Sequence, residues 1–271
     1  MKVIKEKQDL TYLNWSHARN SSGTAGTFLK SQSTIGGKKI YYKLSNFDSE
    51  KGIIGHECVN EIIVDRLLTI LGVEHLDYQL IHGDIEIDNK IYDTWLCASE
   101  DFKEKGESKA ALDNYYEINT KPGISRYDFC KENGWQNYID TMLAVDFLIL
   151  NRDRHGANIE ILRNARKHTL RIAPLFDHGL SLLCSCYSEK EIAQFDVMAD
   201  KPCQNFIGSR STLENLKLIE KPESVFANHL QKSDKDMIFA DLEEILSEEH
   251  RNKIWKMLER RNAYYEDLCH L

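Results

Sequence analysis

Five side chains in this sequence have the types and order that phosphoryl transfer needs. Asp153 and Asn158 lie in Asn151-Arg152-Asp153-Arg154-His155-Gly156-Ala157-Asn158. Asp177 follows 24 residues after Asp153, in Phe176-Asp177-His178-Gly179. An Asp can take or orient the proton of an attacking hydroxyl. An Asn five residues on and a second Asp further along can offer hard oxygens to Mg²⁺ against the phosphates. Lys43 can reach the α- and β-phosphates of ATP, and a glutamate can hold it in place. His155 sits inside the same loop, where bracing the loop by hydrogen bonding suits it better than proton transfer. Each residue also has an ordinary reading: Asp153 and Asn158 as loop caps after a helix, Lys43 as a plain strand lysine. It is the order Lys, Glu, Asp, Asn, Asp that favours chemistry.

The elements that must position these groups follow from local patterns. Ser21-Ser22-Gly23-Thr24-Ala25-Gly26-Thr27 precedes an apolar segment. Its small residues Gly23, Thr24, Ala25 and Gly26 permit close backbone approach to phosphates. It is not a Walker loop, since no Gly-Lys-Ser/Thr follows. Gly36-Gly37 reads as a hairpin turn into a strand at Ile40–Leu44, which carries Lys43. From His56 to Leu71 the apolar residues repeat with helical period, and Gly72 stops the helix. Glu57 and Glu61 lie one turn apart on it, so either can face Lys43.

Residues 76–98 alternate as a small antiparallel meander, with a turn at Asp88-Asn89. Its last strand leads into Leu96–Phe102, where backbone groups of Leu96, Cys97 and Ala98 are expected to meet adenine. The meander also contains His82-Gly83-Asp84 with Asn89, which fits the catalytic pattern of aminoglycoside and choline kinases. That match falls too early in the chain, and strand alternation accounts for it. Residues 103–134 read as a charged, irregular connection. Gln136–Leu150 predicts a buried helix ending at the Asn151–Asn158 loop, with strands at 159–162 and 170–173 before Asp177. Leu213–Ile219, Met237–Leu246 and His250–Leu268 carry amphipathic helical stripes. The polar stretch 198–209 lies at the edge of the site region.

The whole chain is consistent with this. At 271 residues it suits one large domain or two lobes around a cleft. A net charge of -8 and a pI near 5.7 argue against a broad nucleic-acid surface. No apolar run is long enough to cross a bilayer, and the N-terminus has no apolar signal core. Seven cysteines, an odd number, suit free thiols in a reducing cytoplasm. Cys184, Cys186, Cys203 and His178 match no common zinc spacing.

The motif Asn151-x-Asp153-x-His155-x-x-Asn158, followed by Phe176-Asp177, resembles the HipA-like serine/threonine kinases of bacterial toxin–antitoxin systems. Its Asp153-Arg154-His155-x-x-Asn158 core is also similar to the catalytic loop of phosphatidylinositol kinases. Asn151 tips the balance toward the HipA-like group. The resemblance covers roughly residues 21–180 by motif. It implies an α+β, bilobal, protein-kinase-like fold. An ATP-clamping β-rich lobe would span 1–102, and a mainly helical catalytic lobe 103–271. It implies ATP and Mg²⁺ as cofactors, Asp153 and His155 as catalytic-loop residues, and Asn158 and Asp177 as metal ligands. Glu61 matches the family's lysine partner better than Glu57. The family's phosphate loop, autophosphorylated in some members, falls on Gly23–Gly26, with Ser21, Ser22 or Thr24 as acceptors. A protein substrate with a Ser or Thr acceptor and an antitoxin-like regulator complete the expectation. The chain is shorter than full-length HipA and similar in size to compact stand-alone members. Two alternatives remain open: a lipid or small-molecule kinase of related fold, and a non-catalytic nucleotide-binding interaction module.

Overall fold

The computed structural model describes residues 2–16 and 28–270. The β-rich N-terminal region contains β1 (Val3–Asp9), β2 (Lys30–Ile35), β3 (Lys38–Leu44), and a short hairpin of β4 (Phe47–Asp48) and β5 (Gly52–Ile53). Helix α1 (Glu57–Leu71) follows, then β6 (Gln79–Ile87) and β7 (Lys90–Glu100). The main sheet has the order β1-β6-β7-β3-β2, antiparallel except for the parallel pair β1–β6. Both tight hairpin turns have positive φ at their two central residues, Gly36-Gly37 (58° and 80°) and Asp88-Asn89 (53° and 62°). Such turns match the right-handed twist of the strands.

Val3–Asp9, in a polar stretch for which the sequence suggested no element, forms β1, the edge beside β6. Its exposed Lys5, Glu6 and Lys7 hide the strand pattern and suit an edge that must not recruit other chains. The first part of the expected meander is one continuous strand, β6. A Cβ on Gly83 would stand 2.8 Å from the Gln8 carbonyl oxygen, so glycine lets β1 lie close.

Residues 103–134 are not an irregular connection. They form β8 (Ser108–Ala111), α2 (Leu112–Asn119) and α3 (Arg126–Glu132). Charged, outward-facing residues mask their period, while Leu112, Phe129 and Cys130 are buried. Ser125 caps α3 by accepting from the Asp128 N–H. Helix α4 (Gln136–Ile149) is buried from Ile139 to Ile149 apart from Thr141. Each buried Leu, Ile or Phe on it contributes about 1.5–3 kcal/mol. Leu150, at φ 52°, ends α4 in the left-handed region.

The chain then runs through β9 (Asp153–Arg154), a 3-10 turn at Gly156–Asn158, β10 (Glu160–Asn164) and β11 (Thr169–Ile172). Strands β10 and β11 form the hairpin expected before Asp177, with β8 added to its other edge. Beyond lie α5 (Glu189–Gln194), β12 (Gln204–Asn205), α6 (Thr212–Asn215), α7 (Asp234–Phe239) and α8 (Glu248–Cys269). Of the three expected tail helices, the last is realised in full. The stripe at 213–219 is a single helical turn followed by 3-10 structure. The stripe at 237–246 breaks after Phe239, where Asp241 takes φ 63°. The larger apolar core joins α1, α4, α8 and the strands between them. A smaller one lies under β3, β6 and β7.

Candidate active site

Lys43 projects from β3 toward α1, and its Nζ lies 2.9 Å from Glu61 Oε1. Glu61 is completely buried. Its Oε1 also accepts the Gly179 N–H at 3.0 Å, and its Oε2 accepts the His178 N–H at 2.8 Å. Three donors thus compensate a carboxylate taken wholly out of water. Glu57, one turn earlier, accepts from the Asn46 N–H at 3.2 Å instead. Between the two glutamates the geometry selects Glu61 as the partner of Lys43. Asn60, next to Glu61, donates to the carbonyls of Gly179 and Ser181. The first two turns of α1 therefore grip the loop 178–181.

Lys43 Nζ also lies 2.5 Å from Asp177 Oδ1. Burial alone would lower the lysine pKa, but Asp177 and Glu61 outweigh it and hold the ammonium well above its ordinary value. Asp177 has φ 60°, a left-handed conformation that Asp tolerates better than most residues. Its N–H donates to the Tyr78 hydroxyl at 3.2 Å. Burial, then Glu61 and Asp177, push that hydroxyl well above its ordinary pKa, so it stays protonated.

A second buried network shapes the loop. Asp146 of α4 and Arg154 are nearly inaccessible, and Arg154 Nη2 lies 2.9 Å from Asp146 Oδ1. Arg154 Nη1 donates to the Phe176 carbonyl at 2.8 Å and reaches the Asn158 carbonyl at 3.5 Å. Its Nη2 also donates to His178 Nδ1 at 3.1 Å. One guanidinium thus links α4, the Asn151–Asn158 loop and the segment entering Asp177. Burial and the neighbouring Arg154 keep His178 well below its ordinary pKa and neutral. Asn151 Nδ2 donates to Asp146 Oδ1 at 2.9 Å, and its Oδ1 accepts the Asp153 N–H at 3.1 Å. Asn158 Nδ2 donates to the Asp153 carbonyl at 2.8 Å. These bonds fix Asp153 and Asn158 relative to each other. The carboxylate of Asp153 remains about a quarter exposed, and His155 Nε2 stands 3.7 Å from it. The ring of His155 therefore faces Asp153, a residue of the same loop. Behind the loop, buried Arg261 of α8 donates to the carbonyls of Phe147, Val197 and Ala199. A cation at the C-terminal end of α4 also suits the helix dipole.

A cavity of about 760 Å³ opens beside Lys43 and Asp177, within the range of small-molecule sites. Its walls include Tyr41, Cys97, Ser99, Phe102, Lys109 and Phe176. The rings of Phe102 and Phe176 are 5.5 Å apart, and Lys109 Nζ lies 4.1 Å from the Phe102 centroid. Asp153 and Asn158 are not on its wall, although Ala157 is.

The expected adenine-facing stretch shifts. Leu96, Cys97 and Ala98 are paired with Leu44, Lys43 and Tyr42 on one side and with Ile81, Leu80 and Gln79 on the other. Their backbone groups are used by the sheet. β6 begins at Gln79, so pairing on that side ends at Ala98, while pairing with β3 continues through Ser99 and Glu100 and the Asp101 N–H donates to the Lys39 carbonyl. Within Leu96–Phe102, Cys97, Ser99, Glu100 and Phe102 line the cavity. Gly23, Thr24, Ala25 and Gly26, with Ser21 and Ser22, lie outside the described residues. Their flanks Ser16 and Lys30 pair with each other and both line the cavity.

The donor set fits Mg²⁺ in chemical type. Asp177 offers a carboxylate and Asn158 an amide oxygen, both hard ligands, and Arg154 links the Asn158 carbonyl to that of Phe176, next to Asp177. Among the described residues no Cys/His zinc group forms. The one close cluster of three such groups among the described residues is Asp65, His75 and Asp77, where Lys2 already bridges the two carboxylates.

No protein-family model and no curated protein matches the sequence. Among solved structures, the proinflammatory kinase CtkA of Helicobacter pylori superposes with a TM-score of 0.60. The identity is 16%, and 97% of each chain is covered. The chain has a kinase-like fold. A chain of the HipA–HipB–operator DNA complex of Shewanella oneidensis MR-1 gives a TM-score of 0.44 at 13% identity. That match covers 94% of this chain and 68% of that one, too slight a likeness to carry an argument. No helix among the described residues is long and apolar enough to cross a membrane.

Sequence reasoning missed Asp146, Arg154, Tyr78, Asn60 and Arg261 as parts of the site's frame. Asp146 carried a usable signal. A lone carboxylate inside the apolar run Met142–Leu150 demands a buried cation, and Arg154 is the arginine of the adjoining motif.

Proposed function

We propose that this chain is an ATP- and Mg²⁺-dependent kinase that transfers the γ-phosphoryl group to Ser or Thr of a protein. The observation that carries the reading is the buried Lys43–Glu61–Asp177 constellation at the mouth of a nucleotide-sized cavity. The kinase-like fold supports it.

In this reading the adenine lies against Phe102 and Phe176, at the part of the cavity wall formed by Ser99, Glu100 and Phe102. Lys43, held by Glu61, meets the phosphates. Asp177 and Asn158 would hold Mg²⁺, which would neutralise charge developing on the transferred group. Lys43 and Asp177 would then turn from each other, the ammonium toward phosphate and the carboxylate toward the metal. Asp153 orients the acceptor hydroxyl and receives its proton, and His155 stands beside that carboxylate. Because the transition state is loose, positioning and electrostatics carry most of the rate. The ATP-clamping lobe 1–102, the catalytic lobe 103–271, autophosphorylation near Ser21–Thr27 and an antitoxin-like regulator belong to the same proposal through the motif resemblance.

Incubation with γ-labelled ATP and Mg²⁺, with protein, lipid and small-molecule acceptors offered in parallel, tests it. Label on protein Ser or Thr is the expected result. Label found only on lipid or a small molecule removes the protein-kinase reading, and no label on any acceptor leaves the interaction-module alternative.

A further inference from the structure

Two thiols lie directly beneath the lysine of this site. Cys58 is the second residue of α1, and Cys97 is the β7 residue opposite Lys43. Both are 1% exposed. Both S–H groups point at one acceptor, the Lys43 carbonyl oxygen, at 3.0 Å from Cys58 Sγ and 3.7 Å from Cys97 Sγ. Sharing that one acceptor places the two sulfurs next to each other. They come from separate elements, and all seven cysteines are free thiols. Cys97 lines the cavity, which brings the pair next to space a small oxidant can enter.

We infer that Cys58 and Cys97 are a redox-sensitive dithiol, joined by a small peroxide into a disulfide that weakens nucleotide binding. The effect on nucleotide rests on the function proposed above; the dithiol itself does not.

The chemistry balances with hydrogen peroxide as the oxidant. The Cys58 thiolate attacks one peroxide oxygen and the O–O bond breaks. A sulfenic acid forms, and the other oxygen leaves as water after taking up a proton. The Cys97 sulfur then attacks the Cys58 sulfur, and the sulfenic oxygen leaves as a second water. Overall, two thiols and one peroxide give one disulfide and two waters. Cys58 suits the first step because it sits at a helix N-terminus. Burial raises its pKa, but contacts from Cys97, Ser45 and Lys43 bring it below the ordinary thiol value. Cys97 is held well above that value by its contact with Cys58 and by burial, which suits the resolving thiol.

The structural consequence follows from spacing. A disulfide requires sulfurs about 2.05 Å apart, so closing it draws the first turn of α1 against β7. Glu61 lies three residues after Cys58 on that helix, one turn on, and moves with it. The bond also removes both S–H donors from the Lys43 carbonyl. The lysine, its carbonyl and its glutamate are thereby displaced together.

The test uses the full chain, treated with hydrogen peroxide, alkylated to block remaining thiols, and digested without reduction. Mass spectrometry should find a Cys58–Cys97 linked peptide pair that dithiothreitol dissolves. Cys58→Ser should abolish it, and Cys130→Ser, in α3, should keep it. A fluorescent ATP analogue with Mg²⁺ should bind about ten-fold more weakly after oxidation, the scale of one lost charge-assisted contact. Reduction should restore the affinity. A chain that binds the analogue but never forms the link overturns the dithiol; a link that leaves the affinity unchanged overturns its claimed effect on nucleotide binding. A chain that forms the link but never binds the analogue, even when reduced, overturns the nucleotide reading and the affinity claim with it. The linked peptide is read whether or not Cys58→Ser folds.

Discussion

Lys43 and Asp177 are 134 residues apart in sequence, and their charged atoms are 2.5 Å apart in the structure. Glu61 completes the contact from α1 and holds the loop just past Asp177 by two backbone N–H groups. The three groups act as one buried unit, so removing the cation leaves two carboxylates without their partner. Lys43→Met is expected to lower phosphoryl transfer by at least about a hundred-fold. It should also destabilise the chain by about 3–5 kcal/mol, the cost of breaking a buried ion pair. Initial rates with labelled ATP and urea unfolding check the two parts separately.

The Asp146–Arg154 pair makes a different prediction, because it touches no proposed substrate atom. Asp146→Asn leaves a buried guanidinium uncompensated and should cost about 3–5 kcal/mol. The double variant Asp146→Leu, Arg154→Met removes both charges and should recover part of that loss in stability. It should not recover activity, since Arg154 also holds the carbonyls of Phe176 and Asn158. Stability that is additive across the two sites would contradict their coupling.

Acid should destabilise the fold through its buried histidines. His56 and His250 meet edge to face with ring centroids 4.4 Å apart, and burial lowers both pKa values to about 4. His178 is depressed in the same direction. In each case the unfolded chain binds the proton more readily, near pH 6.5, so the stability is complete above that pH. It is lost as pH falls from 6.5 toward 4. At pH 5 the loss is about 1–2 kcal/mol for each of His56 and His250. His75 has the opposite sign. Burial lowers its pKa, but Asp65 and the Val73 carbonyl raise it overall, so its contribution is complete below pH 6.5 and fades as pH rises. The net expectation is a fall in unfolding free energy from pH 7 to pH 5, made shallower by His250→Phe. An acid limb of unchanged slope in that variant would contradict it.

The sequence made some of this legible and hid the rest for physical reasons. β3, α1, α4 and the β10–β11 hairpin were readable because each buries one regular face or one continuous apolar run. Turn chemistry at Gly36-Gly37 and Asp88-Asn89 marked the hairpins. Helices α2 and α3 were hidden because charged residues cover their outward faces, and β1 because an edge strand buries little. That Leu96–Ala98 pair on both sides was not legible, since strand pairing depends on where β6 begins and no local pattern in β7 records that. Glu61 could be preferred to Glu57 only by resemblance, whereas the three donors around its carboxylate provide a physical reason. The frame of Asp146, Arg154 and Arg261 depends on contacts between distant segments, which spacing along the chain does not encode.

The central claim is that Asp153 and Asp177 serve phosphoryl transfer from ATP. The most direct measurement compares the wild type with Asp153→Asn and Asp177→Ala in transfer of labelled γ-phosphoryl to protein Ser or Thr. Each chain is first checked for folding by thermal denaturation. The wild type is expected to transfer label, and each folded variant to lose about a hundred- to ten-thousand-fold of that rate. Unchanged transfer in both folded variants would contradict it.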